Sequence, residues 1–194
     1  MADQKISAMP SAATLTGAEL IPLVQSGANV KATLDVLRAY DNAYGGFSDS
    51  TDQTGSVSAG TVMTFDTVDV ADGVTLASGS RITVPNNGKY SLQFSAQFKN
   101  TNNAQEDATV WLRINGVDLA NSATQYTIPA RKSAGIFGYG VASLTFLLDL
   151  NANDYVEVAW LPTNTTVTIE HLPASVTPAY PAIPSVIATM VQVA

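Results

Sequence analysis

The sequence predicts an all-β protein, an antiparallel jelly-roll β-sandwich preceded by a short extended N-terminal arm. Three observations lead to this fold class. Apolar and polar residues alternate in short runs along residues 45–194, turn-forming residues separate these runs, and helical periodicity is absent from them. We therefore expect one sandwich of roughly eight short strands over residues 45–194, with residues 1–44 forming the arm.

The clearest strand runs from Tyr90 to Lys99. One face carries the apolar side chains Tyr90, Leu92, Phe94, Ala96 and Phe98, and the other carries polar ones. The same alternation predicts strands near residues 61–65, 81–84, 110–114, 144–150, 156–160, 167–169 and 187–193. In the last of these, we expect Ile187, Thr189, Val191 and Val193 to form the apolar face. Asn115-Gly116 follows the strand at 110–114 and predicts a two-residue hairpin turn.

The N-terminal arm has a different pattern. Residues 20–24 form a short extended run in which Pro22 permits only an edge strand. Residues 26–29 predict a turn, residues 30–33 a returning strand, and Thr33 the N-cap of a short helix over residues 34–40. This segment is either a frayed tail or, as we favour, an arm that docks on another protein. The docking residues would be its apolar side chains, Leu20, Ile21, Leu23, Val24, Val36 and Leu37.

The composition excludes several classes of partner. Only 13% of residues are charged, about half the usual share, and the net charge is −7. This charge argues against binding to nucleic acid, because phosphate binding needs a surplus of basic residues on one face. The longest apolar stretch, residues 141–150, is interrupted by polar residues and too short to span a membrane. Because the first residues do not form a secretory signal and no cysteine is present, we expect synthesis in the cytoplasm and no disulfide or thiolate chemistry. A surface this poor in charge must be covered by uncharged polar residues or by other subunits.

Catalytic chemistry finds little support in the residues. His171 is the only histidine, and it is interpreted as a turn residue. Two carboxylate pairs, Glu106 with Asp107 and Asp154 with Glu157, raise the alternative of glycoside hydrolysis. The first pair lies in an Asn-rich connection, and in the second pair Asp154 more simply stabilises a turn. We therefore expect no enzyme activity.

No cofactor or metal site is expected either. Asp66, Asp69 and Asp72 lack the Gly and the closing Glu of a calcium loop, and solvated acids near a hairpin are the simpler interpretation. The glycine-rich stretch 135–140 opens no helix, so it is interpreted as a flexible loop between strands rather than a dinucleotide site.

Several stretches carry a family resemblance. The sandwich resembles the jelly roll of C1q and tumour necrosis factor proteins in residues 88–94 (GKYSLQF), 111–117 (WLRINGV) and 148–156 (LDLNANDYV). Within that group it looks closest to structural proteins of tailed bacteriophages, through residues 90–97 (YSLQFSAQ) and 181–189 (PAIPSVIAT). The arm, with KISAMP at 5–10 and LTGAELIPLVQ at 15–25, resembles the opening of many phage fibre and capsid-surface proteins.

The resemblance implies a homotrimer packed around a threefold axis. Trp111, Leu147 and Tyr155 lie on the side of their strands opposite the best apolar stripe. Such large residues are covered either by a second layer of the same chain or by another subunit. We favour the trimer interface for Trp111 and Tyr155, with ordinary sandwich packing as the alternative.

The leading functional hypothesis is a capsid decoration, or cement, protein on the outer capsid surface of a virion, with the major capsid protein as its partner. The alternative is a short tail fibre or tailspike-type protein that binds a host-surface glycan. Its candidate receptor loops are residues 100–107 and 120–138, with Tyr126 as an aromatic contact. The two hypotheses share a fold and differ in location.

Overall fold

In a computed structural model of the chain, the structure describes residues 16, 18–33 and 42–194. The chain divides into two compact units, Met1–Asp41 and Asn42–Ala194. The strands of the described residues are β1 (Leu20–Gln25), β2 (Ala28–Thr33), β3 (Tyr44–Asp49), β4 (Gln53–Thr54), β5 (Thr61–Val62), β6 (Thr67–Asp72), β7 (Thr75–Ala77), β8 (Arg81–Thr83), β9 (Gly88–Asn100), β10 (Glu106–Ile114), β11 (Val117–Asp118), β12 (Thr124–Ile128), β13 (Gly138–Leu150), β14 (Tyr155–Pro162), β15 (Val167–Ile169), β16 (Ser175–Val176), β17 (Ala179–Tyr180) and β18 (Val186–Gln192).

The first unit contains the predicted hairpin. Strands β1 and β2 pair antiparallel, and the turn between them consists of Ser26 and Gly27. Both turn residues have positive φ, 52° and 78°, which matches the twist that two-residue hairpin turns require. The helix predicted over residues 34–40, with Val36 and Leu37, lies outside the described residues.

The second unit is an antiparallel β-sandwich of the jelly-roll type, which confirms the predicted fold class. One sheet is built around β9 and is called the β9 sheet. On one side β9 pairs with β13, and on the other side it pairs with β18 and β15. Beyond these, β18 pairs with β3, β3 pairs with β6, and β15 pairs with β4. The other sheet is built around β14 and is called the β14 sheet. On one side β14 pairs with β10, and on the other side it pairs with β5 and β8. In addition, β10 pairs with β11 and β12, and β8 pairs with β7.

The core lies between the two sheets. Side chains of β9 at Tyr90, Leu92, Phe94, Ala96 and Phe98 are buried, as the alternation predicts. They face the buried side chains of β10 and β14, and the rings of Phe98 and Trp160 meet with centroids 5.5 Å apart. The Asn115-Gly116 turn is also confirmed, with φ of 52° and 79° at its two residues.

One predicted strand presents the opposite face to the core. In β18 the buried residues are Val186, Ala188 and Met190, whereas Ile187 is 42% exposed, so the prediction that Ile187, Thr189, Val191 and Val193 form the apolar face is wrong. Apolar residues occur on both faces of this strand, so alternation alone does not determine its orientation. The pairing does, because Ala188 lies opposite the buried Phe94 of β9.

Two loop assignments also need correction. The predicted loop 120–138 contains the strand β12, and the predicted loop 135–140 ends in strand, since Gly138 begins β13. A Cβ at Gly138 would lie 1.8 Å from the carbonyl oxygen of Pro129. The glycine that suggested a flexible loop therefore permits a close approach of two backbone segments.

Candidate assembly surface

The outward face of the β9 sheet is broad and uncharged at its centre. Its outward residues on β9 between Lys89 and Lys99 are Ser91, Gln93, Ser95 and Gln97, and all of β18 is uncharged. On β13, residues 138–148 are also without charge. Because the face is not shielded by charge, another protein surface could cover it without desolvating an ion.

This face exposes large apolar side chains. Leu147 is 69% exposed and Val141 57% exposed on β13, and both stand on the side opposite the buried Leu148 and Ala142. Ile187 on β18 and Val70 on β6 are also exposed on this face. Val70 lies over Gly46, since a Cβ atom placed on Gly46 would be 3.4 Å from the Val70 side chain. Apolar groups repeated across one sheet face, among small polar side chains, are typical of a surface that meets another protein.

A shallow hollow of about 240 Å³ lies in the middle of the face. It is lined by Gln93, Phe94, Ser95, Ile187 and Thr189, so it sits where β9 and β18 run side by side. Sites that enclose drug-sized ligands are usually larger, roughly 300–1,000 Å³, and the hollow is better matched to a protruding side chain.

Two ion pairs border the uncharged area. Lys89 Nζ lies 3.1 Å from Asp149 Oδ2 at one end. At the other end Lys99 pairs with Glu170, and its ammonium lies 4.4 Å from the centre of the Phe137 ring. Each of these charges is neutralised within the chain, so neither end of the face carries an uncompensated charge.

Trp111 and Tyr155 lie on the outward face of the other sheet. The Trp111 indole donates a 2.7 Å hydrogen bond to Asp118, and a Cβ on Gly60 would lie 2.4 Å from the Trp111 ring. The Arg81 guanidinium lies 4.6 Å from the centre of the Tyr155 ring. Both aromatic residues are thus partly covered by their own chain.

The docking residues of the arm divide between the two faces of the hairpin. Cross-strand pairing places Ile21 opposite Ala32 and Leu23 opposite Val30, so these four apolar side chains share one face of the hairpin with Gln25 and Ala28. Leu20 and Val24, opposite Thr33 and Asn29, stand on the other face and are 56% and 74% exposed. These two side chains are the most exposed large apolar groups of the described arm.

The four candidate catalytic carboxylates are hydrogen-bonded to their own chain. Asp154 accepts hydrogen bonds from the side-chain amides of Asn115 and Asn151, and these contacts, Asn115 first, hold the pKa of Asp154 below its usual value. Glu157 is buried, accepts from the Ser80 hydroxyl and lies 3.5 Å from Arg81.

The second carboxylate pair is arranged in the same way. Glu106 accepts hydrogen bonds from the side-chain amides of Asn102 and Asn164, and Asp107 accepts from Thr127 and Gln125. Acids held this way stabilise loops and strand ends.

The remaining candidates are dispersed. The His171 backbone N–H donates to Asp52, Asp66 accepts from Ser50, and Asp69 accepts from Ser48. Within residues 16, 18–33 and 42–194, no group of three or more His, Asp or Glu side chains converges on a point where a metal ion could bind.

The aromatic residue of the proposed receptor loops is partly covered, whereas residues 131–136 of the same segment are exposed. Tyr126 is half-buried on β12, and its hydroxyl donates a 3.3 Å hydrogen bond to the Ser143 carbonyl. The most exposed apolar side chain of the described sandwich lies elsewhere, at Val176, which is 91% exposed in the small β16–β17 hairpin.

Sequence reasoning did not identify the outward face of the β9 sheet as an assembly surface. Leu147 is one of the residues that the sequence predicts to be covered by a second layer or another subunit, although Trp111 and Tyr155 are favoured for the interface. Val141 on the same strand carries the same signal, because it too interrupts the polar face. The contribution of Ile187 depends on which side of β18 faces outward, and only the pairing determines that.

The described part of the chain contains no helix of the length and apolarity that a bilayer crossing requires. No protein-family model matches the chain, and no curated protein shows significant similarity to it.

Proposed function

We propose that the protein is a non-enzymatic virion structural protein, a homotrimeric capsid decoration protein that docks on the outer capsid through its N-terminal arm and stabilises the shell. The observation that carries this proposal is that each unit exposes its own apolar surface. One contains Leu20 and Val24 on the hairpin, and the other contains Val141, Leu147 and Ile187 on the β9 sheet. Two such surfaces suit a protein that contacts both its own copies and a second partner.

The surface on the β9 sheet supports self-association. A homotrimer is what the resemblance to C1q and tumour necrosis factor proteins implies, and an uncharged face with exposed apolar groups is suited to burial between identical subunits. The hydrogen-bonded state of Asp154, Glu157, Glu106 and Asp107 supports a structural role for these acids instead of glycoside hydrolysis.

The arm supports docking. A two-stranded hairpin is marginally stable by itself, and β1–β2 gains stability if a partner buries its exposed side chains. A protein that binds only the assembled shell stabilises that shell by mass action, and three arms on one trimer would strengthen attachment through multivalency. The partner of the arm is then the major capsid protein.

A short tail fibre that binds a host-surface glycan is the second candidate. The β16–β17 hairpin supports it, because Val176 and Tyr180 are exposed there and could contact a receptor. In this second proposal the protein is still a homotrimer, but it belongs to the tail of the virion instead of the capsid shell.

The copy number in purified virions distinguishes these proposals. Quantitative mass spectrometry would compare this chain with the major capsid protein of the same particle. We expect a number comparable with that of the capsid protein. A small fraction of it would contradict the decoration role and favour the fibre.

A further inference from the structure

The chain contains two Asn-Gly dipeptides, Asn87-Gly88 and Asn115-Gly116. This dipeptide is especially open to spontaneous deamidation, because glycine has no Cβ to hinder attack by its backbone nitrogen on the asparagine side chain. Asparagine is for this reason one of the thermolabile residues that heat-stable proteins contain less often. The way in which the fold holds these two side chains therefore affects the chemical lifetime of the protein.

Both asparagine side chains bind the turn that precedes β14, residues 151–154. Asn87 makes one hydrogen bond to this turn, in which its side-chain oxygen accepts from the Ala152 N–H at 2.7 Å. Asn115 makes a charge-assisted hydrogen bond, in which its side-chain amide donates to Asp154 at 2.7 Å. A single turn thus fixes the side chains of both dipeptides.

Asn115 is held at both ends of its side-chain amide. While the nitrogen donates to Asp154, the oxygen accepts from the Tyr155 N–H at 3.0 Å, and the Asn115 backbone N–H donates to the Tyr155 carbonyl, also at 3.0 Å. The Tyr155 side chain reaches the same turn, since a Cβ placed on Gly116 would lie 3.3 Å from the Tyr155 hydroxyl. Asn115 itself is exposed, so its side chain is restrained by these contacts and not by burial.

Asp154 is itself fixed by Asn151. Its Oδ2 accepts from the Asn151 backbone N–H at 2.8 Å and from the Asn151 side-chain amide at 3.2 Å, while its Oδ1 receives the Asn115 amide. These hydrogen bonds, that from Asn115 first, hold the pKa of Asp154 below its usual value. At neutral pH the acceptor that holds Asn115 is therefore an ionised carboxylate that its own turn keeps in position.

We propose that the turn 151–154 protects both Asn-Gly dipeptides from deamidation, and that Asn115 is the site at which the sandwich is modified when this protection is lost. In the reaction, the Gly116 nitrogen attacks the side-chain carbonyl carbon of Asn115. A new C–N bond forms, the bond to the side-chain nitrogen breaks, and ammonia leaves with the proton that the Gly116 nitrogen gives up. Water then opens the resulting succinimide ring to aspartate or isoaspartate.

The hydrogen bond to Asp154 opposes this reaction at its leaving group. The nitrogen that departs as ammonia is the one that donates to Asp154. An ionised carboxylate accepts hydrogen bonds only, so Asp154 cannot supply the proton that this nitrogen needs in order to leave. The ring can close only if the Asn115 side chain first separates from Asp154 and from the Tyr155 N–H.

The reaction product no longer fits the turn. The aspartate product keeps an oxygen that can accept from the Tyr155 N–H, but it loses the donor that faces Asp154. Two carboxylates would then face each other where a 2.7 Å hydrogen bond was, and like charges at that distance repel. Because the same turn holds Asn87, its displacement also frees the second dipeptide.

Peptide mapping of the full chain after incubation at mildly alkaline pH tests this inference. Asp154→Ala removes the acceptor of the Asn115 amide. The deamidation rate at Asn115 should then rise roughly tenfold or more over the wild type, the factor that one charge-assisted hydrogen bond is worth. We expect a smaller rise at Asn87, which keeps its hydrogen bond to the Ala152 N–H.

Asp107→Ala is the matched control. Asp107 also accepts hydrogen bonds from two side chains, those of Thr127 and Gln125, and it lies at the opposite end of β10 from Asn115. In this variant the deamidation rate at Asn115 should equal that of the wild type. If both variants accelerate the reaction equally, general destabilisation is the cause and the inference is overturned. The same conclusion follows if Asp154→Ala leaves the rate unchanged.

The effect of the product on the fold is tested separately. Asn115→Asp reproduces the aspartate product, and its denaturation midpoint should fall below that of the wild type. Adding Asp154→Asn exchanges donor and acceptor, so the midpoint should rise again. A midpoint that Asn115→Asp leaves unchanged, or that the second substitution lowers further, would overturn the inference. Neither result bears on the proposed function, since both tests concern this turn alone.

Discussion

Asn115 and Asp154 join two turns at one end of the sandwich. The Asn115 amide donates a 2.7 Å hydrogen bond to Asp154, while its side-chain oxygen accepts from the Tyr155 N–H at 3.0 Å. This pair connects the β10–β11 turn to the residues that precede β14, and it assigns Asp154 a structural role.

Replacing Asp154 should therefore reduce stability. Asp154→Ala removes the acceptor for the Asn115 and Asn151 amides, and we expect a loss of about 1–2 kcal/mol in the free energy of unfolding, measured by denaturant titration. Asn103→Ala, at an exposed position in another connection, is the control and should change stability by less than about 0.5 kcal/mol. Unchanged stability in Asp154→Ala would contradict the structural assignment.

Close backbone packing at the start of β13 gives a sharper test of the fold. Gly138→Ala places a methyl group 1.8 Å from the Pro129 carbonyl, and it should destabilise the protein by about 1–3 kcal/mol or more. In Gly140→Ala the new methyl group would lie 3.8 Å from the Ile128 side chain, an ordinary contact, so the stability of this variant should be close to that of the wild type. Equal melting temperatures for the two variants would contradict the arrangement of these segments.

Asp118 should impose a pH dependence on the environment of Trp111. The Trp111 indole and then the Arg113 guanidinium hydrogen-bond to Asp118 and hold its pKa below the usual 3.8. Because the pKa of Asp118 is lower in the folded state, its ionised carboxylate stabilises the fold fully above pH 3.8. This stabilisation is lost as the pH falls through the folded-state pKa and the carboxylate becomes protonated.

Tryptophan fluorescence of the folded protein should therefore change with a midpoint below pH 3.8, and the change should disappear in Asp118→Asn. The chain has only two tryptophans, and Trp160 is fully buried in the core, so the signal can be assigned. A midpoint above 3.8 would contradict the hydrogen-bonded carboxylate.

Leu147→Lys should weaken self-association without unfolding the chain. If the proposed trimer buries the outward face of the β9 sheet between subunits, the new ammonium would have no partner there, so the trimer should dissociate at concentrations at which the wild type remains associated. Val117→Lys is a matched control, because Val117 is 70% exposed and lies on the other sheet. Analytical ultracentrifugation measures the association state of the two variants, and circular dichroism verifies that they are folded. If only Val117→Lys dissociates, the interface lies on the other sheet.

The arm should be separable from the sandwich. Removing residues 1–41 follows the boundary between the two compact units, so the remaining chain should fold and associate but fail to bind capsids. In the full-length protein, Leu20→Ser with Val24→Ser should weaken capsid binding and leave the trimer unchanged. Normal binding by the truncated chain in a pelleting assay would contradict the docking role.

Strand alternation predicts much of this fold because the core is formed from one face of each long strand. Tyr90 and Phe94 are buried as the pattern requires, and the turn at Asn115-Gly116 needs only local backbone geometry. The orientation of β18 is different, since Ile187 and Val186 are similar in character and only their neighbours on β9 and β3 distinguish them.

The assembly surface is harder to predict for a related reason. Leu147 is visible in the sequence as an apolar residue on a polar face, but its position on an open edge depends on long-range pairing. Trp111 has the same sequence signal, yet Gly60 and Asp118 partly cover it. Contacts between residues far apart in sequence therefore decide which outward apolar residues remain available to a partner.

The central claim, that this protein acts by assembling, is tested most directly by the native mass of the purified full-length chain. Native mass spectrometry at micromolar concentration should show one dominant species at three times the chain mass of 20.3 kDa. A species at the mass of a single chain, unchanged as concentration rises, would contradict the account.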